Sequence, residues 1–173
     1  MLFRSVDYLA KLAAQVYSIN SDIRFLVVGN GAEWQKVLEI AKHLNVYNRN
    51  FFMLPPVSKT KMPALLSAAD VATSLFIDLP EMWANSANKF FDALSSGTPV
   101  AINYKGWQSD LLQETGAGIT LDSSDISKAA SQLTDFLKTK DKLASAGKAA
   151  RRLAEERFSR DKLAKRLEKV LLT

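Results

Sequence analysis

Polar residues recur at helical spacing within the segment 84–92, ANSANKFFD. Asn85, Asn88 or Lys89, and Asp92 stand at i, i+3 or i+4, and i+7, which puts them on one face of a helix. Phe90, Phe91 and Leu94 then cover the opposite side. The segment reads as a loop that turns helical at about Ala87. The free amides of that helix N-terminus, together with the helix dipole, favour a phosphate. Asp92 would lie about 9 Å from Ser86 along the axis. Amides at one end and a carboxylate further along can hold a pyrophosphate and a ribose diol together. The same spacing also describes a Lys89–Asp92 surface pair with Ser86 as the cap, and spacing alone favours that plainer reading.

Other residues carry weaker signals. Gly29, Asn30 and Gly31 form half of a dinucleotide fingerprint, with Trp34 where a third glycine would stand. As a cofactor signature this is weak; as a tight strand-to-helix turn beside a ligand it is reasonable. His43, the single histidine, sits among Ile40, Lys42 and Leu44 and reads as a surface or boundary residue. Asp70 reads as the cap of a strand rather than a catalytic acid. No cluster of His, Asp and Glu has metal-ligand spacing, so no metal and no cofactor are expected. The absence of cysteine excludes a disulfide framework and thiolate metal sites, and suits a reducing cytoplasm.

Positioning these groups falls to alternating elements. Apolar residues at Val6, Leu9, Leu12, Ala13 and Val16 predict an amphipathic helix over 6–18. Short apolar runs predict strands over 23–28, 50–54, 71–76, 99–103 and 118–121, in the manner of parallel strands covered on both faces. Helices are predicted over 32–44, 60–69, 87–96 and 107–115, and everything after Asp122 reads as helical, over 125–138, 140–157 and 160–172. Ser159 is the expected N-cap of the last helix. Strands separated by helices predict an α/β domain, a Rossmann-like parallel sheet flanked by helices and built by right-handed crossovers. The chain starts with a helix where such domains start with a buried strand, which points to a first strand lying upstream. In open parallel sheets ligands bind beyond the carboxyl ends of the strands, so residues 29–33, 54–60, 76–88 and 103–107 are where a site is expected.

At 173 residues the chain suits one domain with a terminal appendage: 1–158 as the sheet domain, and 159–173 as a helix packing on it or on an absent N-terminal domain. No apolar run reaches the roughly 18 residues of a membrane span, and no signal peptide is visible. The net charge of +5 is uneven: the stretch 138–169 holds 12 basic and 5 acidic residues, leaving the remainder slightly acidic. The basic helices read as a solvated face or as a peripheral contact with an anionic membrane. Nucleic acid is not an expected partner, because no aromatic-lined basic groove or known module is present.

The run 88–100, NKFFDALSSGTPV, resembles the nucleotide-sugar motif of family 4 glycosyltransferases. It is similar above all to the NK-(L/F)-F-(D/E)-x-L-(A/S)-x-G-x-P-V form found in bacterial polysaccharide transferases related to L-fucosamine transferases. Further pieces follow in the family's order. LVVGNGAE at 26–33 is similar to its glycine-turn strand, 57–70 to its short helix before "AD", 106–118 to its helix ending in "TGAG", and RFS at 157–159 to the start of its last helix. The ordered set spans nearly the whole chain.

That resemblance implies the nucleotide-sugar-binding half of a retaining, two-domain GT-B enzyme. It implies that Asp92 holds the ribose hydroxyls, that Ser86 to Lys89 receive the diphosphate, and that the turn at Leu54 to Val57 packs the base. Arg4 falls where the family's K-G-x-D-x-L segment carries its phosphate-binding lysine, and an arginine there would offer a bidentate donor. The implied donor is a nucleoside-diphosphate sugar, UDP foremost, and the implied acceptor a glycan or lipid-linked glycan. Many members have a glutamate eight residues before the ribose acid, where this chain has Ala84; Glu81 would substitute if the loop bent it inward. A non-catalytic nucleotide-binding module and half of a nucleotide-sugar epimerase are the alternatives; the acid pair and histidine expected of an epimerase site are not found.

Overall fold

The structure is a computed structural model that describes residues 6–172. Helix α1 (Val6–Ile19) comes first, followed by β1 (Phe25–Val28), α2 (Trp34–His43), β2 (Phe51–Leu54), α3 (Met62–Ser67) and β3 (Ala72–Ser74). Next are α4 (Asn88–Ser95), β4 (Val100–Ile102), α5 (Trp107–Thr115) and β5 (Gly118–Thr120). Three helices close the chain: α6 (Ile126–Lys138), α7 (Lys140–Arg157) and α8 (Arg160–Leu171). Single 3-10 turns at Lys59–Lys61 and Pro80–Met82 shape the loops after β2 and β3.

All strand pairs are parallel, as the alternation of elements predicts, but the described residues form two ladders rather than one. β1 pairs with β2, Phe25 opposite Phe51; β4 lies between β3 and β5, with Val100 opposite both Ala72 and Gly118. A side chain at Gly118 would put its Cβ 1.9 Å from the Val100 carbonyl oxygen, so β5 can lie against β4 only without one.

Two cores hold the layers together. Leu9, Leu12, Ala13 and Val16 are buried on the face of α1 that their spacing defines, and meet Phe25, Phe51, Ala101 and the Ala129–Leu133 face of α6. On the other side of β3–β5, Phe90 and Leu94 of α4 pack with Val100, Ile102, Leu112 and Leu153. Each large side chain so removed from water contributes about 1.5–3 kcal/mol. Leu26 and Leu54, on adjacent strands of the two-stranded ladder, stay roughly half exposed at 46% and 45%.

The C-terminal helix differs from the rest. No residue of α8 is buried, and Leu163, Leu167, Val170 and Leu171 stand exposed. Ser159 occupies the N-cap position as expected, but its side chain makes no capping bond, which corrects that part of the sequence reading. Lys162 Nζ donates to the Glu155 carbonyl at 2.9 Å and ties the start of α8 to α7. Among the described residues no helix is long and apolar enough to cross a membrane.

Candidate functional site

Parallel strands deliver their following loops to one end of each ladder. For β3–β5 these are the long loop 75–87, the short loop 103–106 and the turn 121–125. The long loop ends at Ala87, the N-cap of α4, with extended φ −72° and ψ 128° and no side-chain capping bond. Ala87 has no side-chain oxygen with which to cap the first turn of α4, and a helix N-terminus of this kind can receive an anion. Asn88, Lys89 and Asp92 are exposed on one face, while Phe90 and Leu94 are fully buried on the other. Ser86 is exposed but is not the cap, because the helix begins two residues beyond it.

The loop into α4 is fastened to the segment after β4 along its length. Phe76 N–H donates to Asn103 Oδ1 at 3.0 Å, and Trp107 Nε1–H donates to the Asn85 carbonyl at 3.0 Å. Between these, Trp83 lies over Gly106, whose φ is +98° and where a Cβ would come within 2.4 Å of the Trp83 carbonyl oxygen. Lys105 Nζ stands 6.0 Å from the centroid of the Trp83 ring.

Asn85 lies three residues before the first helical residue, so the helical face consists of Asn88, Lys89 and Asp92 without it. Its Nδ2 donates to the Met82 carbonyl at 2.6 Å, and its buried Oδ1 has no hydrogen-bond partner within the protein. The Asn85 and Ser74 side chains lie beside the hydroxyl of buried Tyr104, which donates to Gln108 Oε1. Burial raises the Tyr104 pKa above its ordinary value, so the phenol stays protonated.

Asp78 was not singled out in the sequence, yet it accepts from three loops: Trp83 Nε1–H at 2.8 Å and Lys105 N–H at 3.4 Å on Oδ1, and the Ser123 hydroxyl at 2.7 Å on Oδ2. Burial pushes its pKa up, but the bonds from Ser123, Trp83 and the Lys105 amide outweigh that and hold it below the ordinary value. An acid four residues past a strand, with a tryptophan five residues further on, is the signal available.

The remaining candidates are dispersed. Gly29, with φ +144°, closes β1 and donates its N–H to the Leu54 carbonyl at 3.0 Å; Asn30 and Gly31 are exposed in the turn that follows. Val57 is exposed past β2, and Glu81 is exposed in the 3-10 turn after Asp78. Arg4 lies outside the described residues. A shallow, open depression bordered by Ser109, Gln113, Gln132 and Lys142 flanks β5 and includes none of these groups.

The family described as "Glycosyl transferases group 1" matches residues 4–153. No curated protein matches the sequence. Among solved structures, a variant of S. aureus TarM in complex with fondaparinux, α-GlcNAc-glycerol and UDP superposes with a TM-score of 0.83 at 18% identity, covering 100% of this chain and 34% of that one. Anabaena Alr3699/HepE in complex with UDP and glucose gives 0.81 at 17% identity, with coverage of 98% and 45%. The C-terminal domain of a group 1 family glycosyl transferase, LpcC from Francisella tularensis, gives 0.73 at 10% identity, with 91% and 81% covered. At these identities the likeness is one of fold. The chain spans between a third and a half of the TarM and HepE chains.

Proposed function

The chain belongs to the group 1 glycosyl transferases, and from that premise we propose that it is the donor-binding half of a retaining glycosyltransferase. Its substrate in this reading is a nucleoside-diphosphate sugar, UDP-linked, and its acceptor a polysaccharide or lipid-linked glycan of a bacterial surface. The observation that carries the reading is the α4 N-terminus without a side-chain cap, with Asp92 exposed on the same helix. The first-turn amides and Lys89 take the diphosphate, Asp92 accepts from the ribose hydroxyls, and the residues around Val57 meet the base. Catalysis by this half is electrostatic: amides, Lys89 and Arg4 stabilise the charge that gathers on the departing diphosphate. Glu81 faces the sugar only if its loop bends inward. The structures of TarM and HepE described with UDP support the choice of nucleotide.

The acceptor would bind a separate N-terminal domain, and the exposed apolar residues of α8 suit a helix that covers such a domain. The basic residues of α7 and α8 suit peripheral contact with the inner face of an anionic membrane, where a lipid-linked acceptor would be found. Titration of UDP by calorimetry tests the core of the reading. Wild-type protein is expected to bind and Asp92→Ala to bind about tenfold or more weakly, the loss of a charged hydrogen-bond acceptor. Equal affinity in the two proteins would remove Asp92 from the site.

A further inference from the structure

The loop that presents the α4 N-terminus is long, has little regular structure and is held by side chains reaching it from the segments after β4 and β5. Residues 75–87 contain one 3-10 turn, and Ala87 brings no side-chain bond of its own. Asp78 is the one side chain among those described whose carboxylate collects donors from the loops after β3, β4 and β5 together. Its two oxygens are both engaged, Oδ1 by an indole and an amide and Oδ2 by a hydroxyl. Bonds to an ionised acceptor are stronger than neutral ones, and a set sharing one acceptor is lost together when that acceptor goes. The Trp83 backbone lies against Gly106, so the indole bond and that close approach together hold the middle of the turn 80–85.

We propose that Asp78 is the positioning residue of the site: by tying Trp83, Lys105 and Ser123 to one carboxylate it sets the loop 77–87 and so the placement of the anion-receiving amides of α4. With its oxygens occupied it acts through these partners and not by touching the ligand. The inference deepens the donor-binding reading and rests on it for the identity of the anion, but the loop's dependence on Asp78 can be read without any ligand.

The test compares wild type, Asp78→Leu, which removes the acceptor, and Asp78→Asn, which keeps an acceptor for Trp83 and Lys105 and offers Ser123 a donor. Trp83→Phe and Ser123→Ala each delete one donor and serve if Asp78→Leu does not fold. Hydrogen exchange of the free protein is expected to rise about tenfold over 79–90 in Asp78→Leu, and in lesser degree in the single-donor variants, while Asp78→Asn stays close to wild type. UDP affinity by calorimetry is expected to fall about tenfold in Asp78→Leu and to recover in Asp78→Asn, since misplaced groups lose binding without being removed. Unchanged exchange over 79–90, or a rise spread equally through α1 and α2, overturns the inference, as does raised exchange with unaltered UDP affinity. If wild type takes up no UDP, the donor-binding reading falls, and the exchange pattern alone decides the role of Asp78.

Discussion

The indole Nε1–H of Trp107 donates to the carbonyl oxygen of Asn85 at 3.0 Å, so the first residue of α5 holds the backbone two residues ahead of the α4 cap. The same ring meets Phe90 and Phe91 with centroids 5.9 and 6.2 Å away. One side chain thus touches both the loop that enters α4 and the aromatic face by which α4 is seated. Trp107→Phe keeps much of the aromatic contact and loses the bond, and is expected to cost about 1 kcal/mol; Trp107→Ala loses both, about 3 kcal/mol. Urea unfolding at neutral pH measures the two: equal losses would mean that the ring contact carries nothing, and no loss in Trp107→Phe that the hydrogen bond carries nothing.

Gly106 has a left-handed φ and the Trp83 backbone over its α-carbon. Gly106→Ala is expected to lower stability by about 2 kcal/mol or more, through both strain and displacement of Trp83. A denaturation midpoint unchanged from wild type would show that the loop yields freely and that its placement is not fixed here.

Lys89 is exposed in the first turn of α4, where an added negative charge offsets the positive end of the helix dipole and repels a bound anion. Lys89→Glu is expected to weaken UDP binding about tenfold or more in low salt, with the gap narrowing as salt screens the charge. Calorimetry across an ionic-strength series gives the result; a salt-independent difference would argue for a steric cause.

Asp122 accepts from the Asp125 amide, from Lys128 Nζ and from Ser124, and these bonds hold its pKa well below the usual carboxylate value. A carboxylate with a depressed folded-state pKa stabilises the fold above its unfolded pKa, and that contribution is lost as pH falls through the folded one. The stability gap between wild type and Asp122→Asn is therefore expected to be full at pH 7 and to shrink steadily below about pH 4. Parallel urea midpoints for the two proteins over that range would contradict it.

Most of the elements were legible because their signals are local. The 3.6-residue spacing of Leu9, Leu12, Ala13 and Val16 fixes the buried face of α1, and the short apolar runs at 25–28 and 100–102 read as strands, the second of them fully buried and the first leaving Leu26 half exposed. The exposed Asn88–Lys89–Asp92 face against buried Phe90 and Leu94 follows from the same periodicity. Asn85 fell off that face because the position of the first helical residue depends on what holds the loop before it, and residues 82, 103 and 107 are not visible to a reading of helical period.

The α/β alternation, the polar face of α4 and the family resemblance are written in the order of residues, since each depends on residue type at fixed short spacing. The folded chain adds that the described strands form two ladders, that α8 stands uncovered, and that Asp78 joins three loops. Asp78 and Ser123 are 45 positions apart, and nothing in composition or periodicity brings them together. The parallel sheet does so, by carrying the ends of β3, β4 and β5 to one side and leaving the Asp78 carboxylate within reach of donors from all three loops.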